Sequence, residues 1–239
     1  MATSAAVVPM LEPEHPCFNC AVRELAVCGV LESAALHAFK ESGPTVHHQA
    51  GETIVFEGDE AQCVYSLTSG LLRLSKLLPD GRRQIAGFLF PGDFLGITLE
   101  EDHAFTAEAI APSTLCKFPR RHFEAFMADH PALERRLYAV AAHELAAARQ
   151  QLVLLGRKTA TERLASFLLM LDGRCHAARG GDAIELPMSR ADMADYLGLR
   201  IETVSREFST LRASRVIQLV TRQSFRIIDR ERLEQLADG

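Results

Sequence analysis

The chain has 239 residues, 48% apolar and 24% charged, which suits two domains with a connecting element and excludes a disordered chain. No apolar run approaches the roughly 20 residues that cross a bilayer, and Met1 to Pro16 lacks the basic flank of a secretory signal, so a cytoplasmic protein is expected. The net charge of −5 hides an asymmetry: twelve basic and nineteen acidic residues precede Gly156, whereas fourteen basic and twelve acidic residues follow it. Gly198 to Ile228 alone holds six Arg against Glu202 and Glu207, the pattern of a basic half that meets polyanions.

Residues 1–30 carry Cys17-x-x-Cys20, then seven residues and Cys28, which places three thiols on a short loop-like segment. Cys63, Cys116 and Cys175 stand singly. Without an export signal, thiols or metal ligands are expected rather than disulfides. Soft thiolates select zinc or iron–sulfur clusters. The spacing leaves both open, along with metal-free thiols or a thiol–disulfide switch, because three nearby sulfurs do not complete a four-ligand site. His15 and the pair His47-His48 show no ligand spacing and read as surface residues.

Residues 31–128 have a β texture from Gly51 onward. Short apolar runs (Thr53 to Phe56, Val64 to Leu67, Leu71 to Leu77) alternate with Gly-containing turns, the pattern of a small antiparallel β-barrel. Pro79-Asp80-Gly81 predicts a hairpin between Leu71–Leu78 and Arg83–Phe90.

At Arg120 the texture turns helical. Residues 129–156 lack Gly until Gly156, and Pro131 suits a first helical position. Tyr138, Ala141, Leu145, Ala148, Leu152 and Leu155 step by three and four, an a/d seam for pairing with a second copy of the helix. Helix continues through Lys158 to Leu171, and a loop is expected from Asp172 to Glu185, which contains Gly173, Gly180 and Gly181.

In residues 157–239, Ser189-Arg190-Ala191-Asp192 reads as a helix N-cap. Ala191, Met193, Ala194 and Leu197 form its buried side and Gly198 its stop. A second helix, Ile201 to Ala213, turns Val204, Phe208 and Leu211 inward, giving a helix-turn-helix. Its outward residues include Glu202, Ser205 and Arg206, able to meet cytosine amino groups, either base type and guanine respectively. Spacing alone also allows a solvated face with a Glu202–Arg206 pair. Val216 to Val220 and Phe225 to Ile228 form a wing whose Arg222 is placed for a phosphate. Ser189 joins these as a further candidate DNA contact.

The run from Leu186 to Arg206, LPMSRADMADYLGLRIETVSR, closely resembles the helix-turn-helix signature of the CRP/FNR family of bacterial transcription regulators. The resemblance implies an α+β chain: an N-terminal antiparallel β-barrel (cyclic-nucleotide-binding-like), a long dimerisation helix and a C-terminal winged helix-turn-helix. Glu202-x-x-Ser205-Arg206 resembles the FNR-type reading triad, implying a homodimer on an inverted TTGAT-type site, with DNA and RNA polymerase as partners. Two reading helices would then lie about one DNA turn, ~34 Å, apart.

For the first domain, Gly92-Asp93-Phe94-Leu95-Gly96 resembles the family's phosphate turn. Ile97 stands where the nucleotide-binding Glu would be, and Phe105-Thr106-Ala107 where an Arg-led phosphate grip would be. A buried phosphate without a charged donor is costly, so no cyclic nucleotide is expected. The Cys pattern resembles the oxygen-sensing FNR/FnrN subgroup. It implies a [4Fe–4S] cluster on Cys17, Cys20, Cys28 and Cys116, with Cys63 and Cys175 as small apolar residues. Low oxygen would keep the cluster and pack the leading segment against the barrel and the start of the dimer helix. Some relatives carry an acidic residue in that helix; here Ala148 and Arg149-Gln150-Gln151 supply no Asp. No nucleophile–base set, P-loop or Gly-x-Gly-x-x-Gly is present, so no enzyme is expected.

Overall fold

The computed structural model describes residues 15–96, 101–179 and 183–239, with the backbone alone for 175–179. The apolar runs of the first half form β1 (Thr45–His48), β2 (Thr53–Val55), β3 (Cys63–Leu77), β4 (Arg83–Leu89), β5 (Phe94–Leu95) and β6 (Thr106–Pro119). Long β3 and β6 pair from Cys63 opposite Pro119 to Ser75 opposite Thr106. Strands β1 and β2 lie on β6, while β4 and β5 lie on β3.

The expected barrel is therefore a six-stranded antiparallel sheet along the path β1-β6-β3-β4, not a closed ring. Register shifts between Leu67 and Leu72 bend the two long strands and curl the sheet. It wraps Leu67, Leu72, Ala109 and Leu115 without joining its edges. The β3–β4 hairpin turns as expected, with Gly81 at φ +82°.

Ahead of β1 lie a 3-10 turn, Val27–Val30, and α1 (Ser33–Glu41). After β6 come α2 (Arg120–Asp129), α3 (Pro131–Arg157) and α4 (Ala160–Arg179). Pro131 opens α3, where its missing N–H costs nothing. Helix α4 runs on through Asp172–Arg179, where a loop was expected. Leu164, Phe167, Leu168 and Leu171 anchor it, and Asp172 and Arg174 form ion pairs with Arg230 and Asp93. These offset the roughly 1 kcal/mol that Gly173 costs a helix. Gly180 and Gly181, like Ile97, lie outside the described residues.

The last third holds β7 (Ile184–Glu185), α5 (Arg190–Leu197), α6 (Ile201–Ala213), β8 (Ile217–Thr221), β9 (Ser224–Ile227) and α7 (Arg230–Asp238). Its strands order as β7-β9-β8. Phe167, Leu168, Met193, Leu197, Val204, Phe208 and Phe225 form its core, which continues into Leu71, Ile85, Phe88 and Phe90 of the first domain.

Candidate nucleic-acid interface and thiol pocket

Ser189 and Asp192 close a reciprocal cap on α5. The Ser189 hydroxyl accepts from the Asp192 N–H at 3.0 Å, and the Asp192 carboxylate accepts from the Ser189 N–H at 3.0 Å. Ser189 is exposed, but its hydroxyl is committed to the cap, since it also donates to Asp192 at 2.7 Å. Ala191, expected inside, is exposed, and Asp192 is buried in its place. Gly198 turns the chain at φ +62°, ψ 39°.

Helix α6 then buries Val204, Phe208 and Leu211 and exposes Glu202, Ser205, Arg206, Ser209 and Thr210. The Ser209 and Thr210 hydroxyls donate back to the carbonyls of Ser205 and Arg206. Glu202, Ser205 and Arg206 are left to face outward. Arg206 turns to Glu207 at 3.6 Å rather than to Glu202. Arg222 is exposed between β8 and β9.

Three residues beyond the sequence-derived set support this face. The Arg190 guanidinium lies 3.5 Å from the centre of the Phe208 ring. The Thr161 hydroxyl donates to Glu207 at 2.7 Å. Arg163 donates to the carbonyls of Leu155, Lys158 and Leu197, joining the end of α3, the start of α4 and the end of α5. Main-chain acceptors leave no mark in a side-chain pattern, so Arg163 had no signal in the sequence.

Helix α3 has two faces. Leu133, Leu137 and Val140 pack on the leading segment beside Val27 and Leu31. On another face Tyr138, Leu145 and Leu152 are 78%, 54% and 72% exposed, with Ala141 and Ala148 exposed between them. Leu155, expected in the same seam, packs instead against the C-terminal core.

Cys17, Cys20 and Cys28 meet Cys116 around one pocket, whose wall also includes Arg23, Lys40, Phe39 and Phe118. All four are free thiols. Cys116 arrives from β6, opposite Thr45 of β1 and Ser66 of β3. Lys40 donates to the Gly43 carbonyl and the Thr45 hydroxyl, which holds its Nζ 3.5 Å from the Cys116 sulfur. Burial pushes the Cys28 thiol up to about 12, reinforced by Cys17, Cys20 and Cys116. Burial and then Cys116 also raise Cys17, against the pull of Lys40. Burial and neighbouring sulfurs thus keep Cys17 and Cys28 protonated, and a bound cationic centre would favour their thiolates. Among the described residues no three His, Cys, Asp or Glu stand close enough to share a single ion.

Cys63 packs on the sheet core, and the Cys175 side chain lies outside the described residues. His15, expected as a plain surface residue, is partly buried with its ring 4.1 Å from that of His37. The His47 ring meets Thr114, and His48 meets Glu52.

A curled sheet domain, a long helix with one uncovered apolar face and a winged helix-turn-helix with an exposed polar reading face define a DNA-binding regulator. Sequence models of the Crp-like helix-turn-helix domain and of the cyclic nucleotide-binding domain match residues 162–236 and 45–130. The nitrogen fixation regulation protein FixK of Bradyrhizobium diazoefficiens is 46% identical over 96% of this chain and 98% of its own. The transcriptional activator protein FnrL of Cereibacter sphaeroides is 37% identical over 92% and 90%. The solved structure of FixK2 from Bradyrhizobium japonicum superposes with a TM-score of 0.77 at 38% identity, covering 81% of this chain and 96% of that one. The chain belongs to the CRP/FNR family of transcription regulators and is not an enzyme. Among the described residues no helix is long and apolar enough to cross a membrane.

Proposed function

We propose that the protein is an oxygen-responsive member of this family, in which Cys17, Cys20, Cys28 and Cys116 hold a [4Fe–4S] cluster. The observation that carries this reading is the meeting of three thiols from one short segment with a fourth from β6 around a single pocket. When bound, the cluster supplies an inorganic core that oxygen destroys. The chain supplies the coupling. Arg136 donates from Nη2 to the carbonyls of Glu24 and Leu25 at 3.2 and 2.8 Å, so the Cys-bearing segment and α3 share one guanidinium. Leu133 and Leu137 pack beneath the same segment. An ordered segment therefore braces the first half of α3, whose other face carries Tyr138, Ala141, Leu145, Ala148 and Leu152 for a second copy.

The paired chains would set two α6 helices into successive major grooves of an inverted TTGAT-type site, with RNA polymerase as the partner at the promoter. Arg206 suits guanine, Glu202 the cytosine amino group and Ser205 either base type, while Arg222 reaches phosphate. A cyclic nucleotide is not part of this reading, because Phe105-Thr106-Ala107 offers no cation to a phosphate and Ala107 is fully buried.

Protein purified under nitrogen is expected to be straw-brown, to contain iron and acid-labile sulfide, and to bleach in air. Cys20→Ser and Cys116→Ser are each expected to lose the colour. A colourless parent, with zinc or without metal, overturns the cluster.

A further inference from the structure

We infer that Arg73 and Arg83, on the N-terminal sheet, are positioning residues for DNA reading: through Asp192 and Asp195 they fix the angle at which α6 meets its half-site. The inference rests on DNA binding by a dimer and not on the cluster.

Arg73 lies on β3 and Arg83 at the start of β4, both over a hundred residues from α5. Arg73 reaches Asp192 and Glu108, each at 2.7 Å. Arg83 reaches Asp192 at 2.9 Å and grips Asp195 with two donors at 2.7 and 3.0 Å. Gln84 adds a bond to the Asp195 carbonyl at 2.8 Å. Beside these, the Phe88 ring sits 5.3 Å from that of Tyr196.

An isolated pair in water would fix little. This network differs, because the Asp192 side chain is only 6% exposed and that of Arg73 16%. Its geometry is also directional: Arg73 meets two carboxylates while its Nε is buried without a partner, a desolvation cost accepted for one orientation. Asp192 completes the cap with Ser189 as well, so the first turn of α5 and the sheet are joined at one carboxylate.

The joint hides neither working surface. Glu202, Ser205, Arg206 and Arg222 are exposed while it is closed, and so are Tyr138, Leu145 and Leu152. A mask would cover one of them; a brace fixes the angle between them. Between α3 and α4 the chain passes through Lys158 in an extended conformation, where Arg163 supplies one tie, and the sheet contacts to α5 supply a second, distant one that resists rotation about it. Angle matters because two reading helices must match half-sites about one DNA turn apart. A single inserted base pair moves one half-site by ~3.4 Å and rotates it by roughly a tenth of a turn.

The test uses the full chain under nitrogen and the duplex that the parent selects from a random-sequence pool. Binding is compared with versions lengthened or shortened by one base pair at the centre. The parent is expected to prefer its selected spacing by about tenfold or more. Arg83→Gln is expected to bring that ratio below about threefold, and Arg83→Lys, which keeps the charge but not the two-donor grip, to leave it in between. Asp195→Asn, which keeps the side-chain size, checks the same joint from the other side and is expected to lower the ratio too. Simple loss of folded protein would weaken all duplexes alike and leave the ratio unchanged. A parent indifferent to spacing, or a ratio that Arg83→Gln and Asp195→Asn leave unchanged, overturns the inference, whether overall affinity falls, holds or rises.

Discussion

Side chains of one type divide into distinct roles by what they face. Arg206 and Arg222 are both exposed, but one projects from a groove-sized helix and the other from a hairpin turn. Arg206→Ala is expected to lose about 1–3 kcal/mol of preference between matched and mismatched half-sites. Arg222→Ala should weaken all duplexes equally and lower the salt slope by about one. Titration against both duplex sets at two salt concentrations separates the outcomes; equal losses on specific and random DNA would remove Arg206 from the reading set. Asp192 has a third kind of role. Burial opposes its charge, but hydrogen bonds from Ser189 with the charges of Arg73 and Arg83 hold the carboxyl below its ordinary value of 3.8. A depressed carboxylate contributes stability above that ordinary value and loses it as pH falls through the lower folded one. The melting-temperature gap between the parent and Asp192→Asn is therefore expected to be full at pH 7 and to close below about pH 3.8. A gap that widens in acid would show that the charge does not stabilise the fold.

At the scale of elements, periodicity and punctuation were legible where a segment's own residues decide its structure. Pro131 opened a helix, Gly198 closed one, and the Ser189 cap and the step pattern of α6 all form as the sequence indicates. The misses share a cause, which is that distant residues decided them. Helix α4 outlasts Gly173 because Arg230 and Asp93 pair with Asp172 and Arg174 on either side of it. Ala191 is displaced from the inside by a charged neighbour whose partners lie on β3 and β4. Leu155 obeys the seam's spacing but falls against the C-terminal core. The seam itself is testable because Leu145 is uncovered in the single chain. Leu145→Glu would put an unpaired charge in each half of a paired helix, a cost of several kcal/mol. Self-association is expected to weaken by about a hundredfold or more, measured by sedimentation under nitrogen, with the monomer's melting temperature unchanged. Dimers as tight as the parent's would place the contact elsewhere.

Over the whole molecule, the leading segment and the first helix of the helix-turn-helix each reach α3 or its continuation through arginines that bond main-chain carbonyls. Arg136 ties Glu24 and Leu25 to the start of α3, and Arg163 ties its end to α5. Such ties form only when the acceptor backbone is ordered, so each transmits folding rather than charge. Arg136 is the informative one to remove, because its bonds go to the main chain of the Cys-bearing segment and its Nε is already buried without a partner. Arg136→Met keeps much of the apolar stem and deletes the donors. On the proposed cluster reading, the variant is expected to match the parent in iron and sulfide content, since all four Cys are untouched. What should change is the link: in the parent, cluster loading is expected to tighten self-association at least about tenfold, ~1.4 kcal/mol. In Arg136→Met the loaded and metal-free chains are expected to associate within about threefold of each other, with Arg136→Lys intermediate. Sedimentation of both forms under nitrogen, alongside the visible spectrum, reads the two quantities separately. A variant that loads and then dimerises with the parent's full response would show that the packing of Leu133 and Leu137 carries the coupling without the guanidinium.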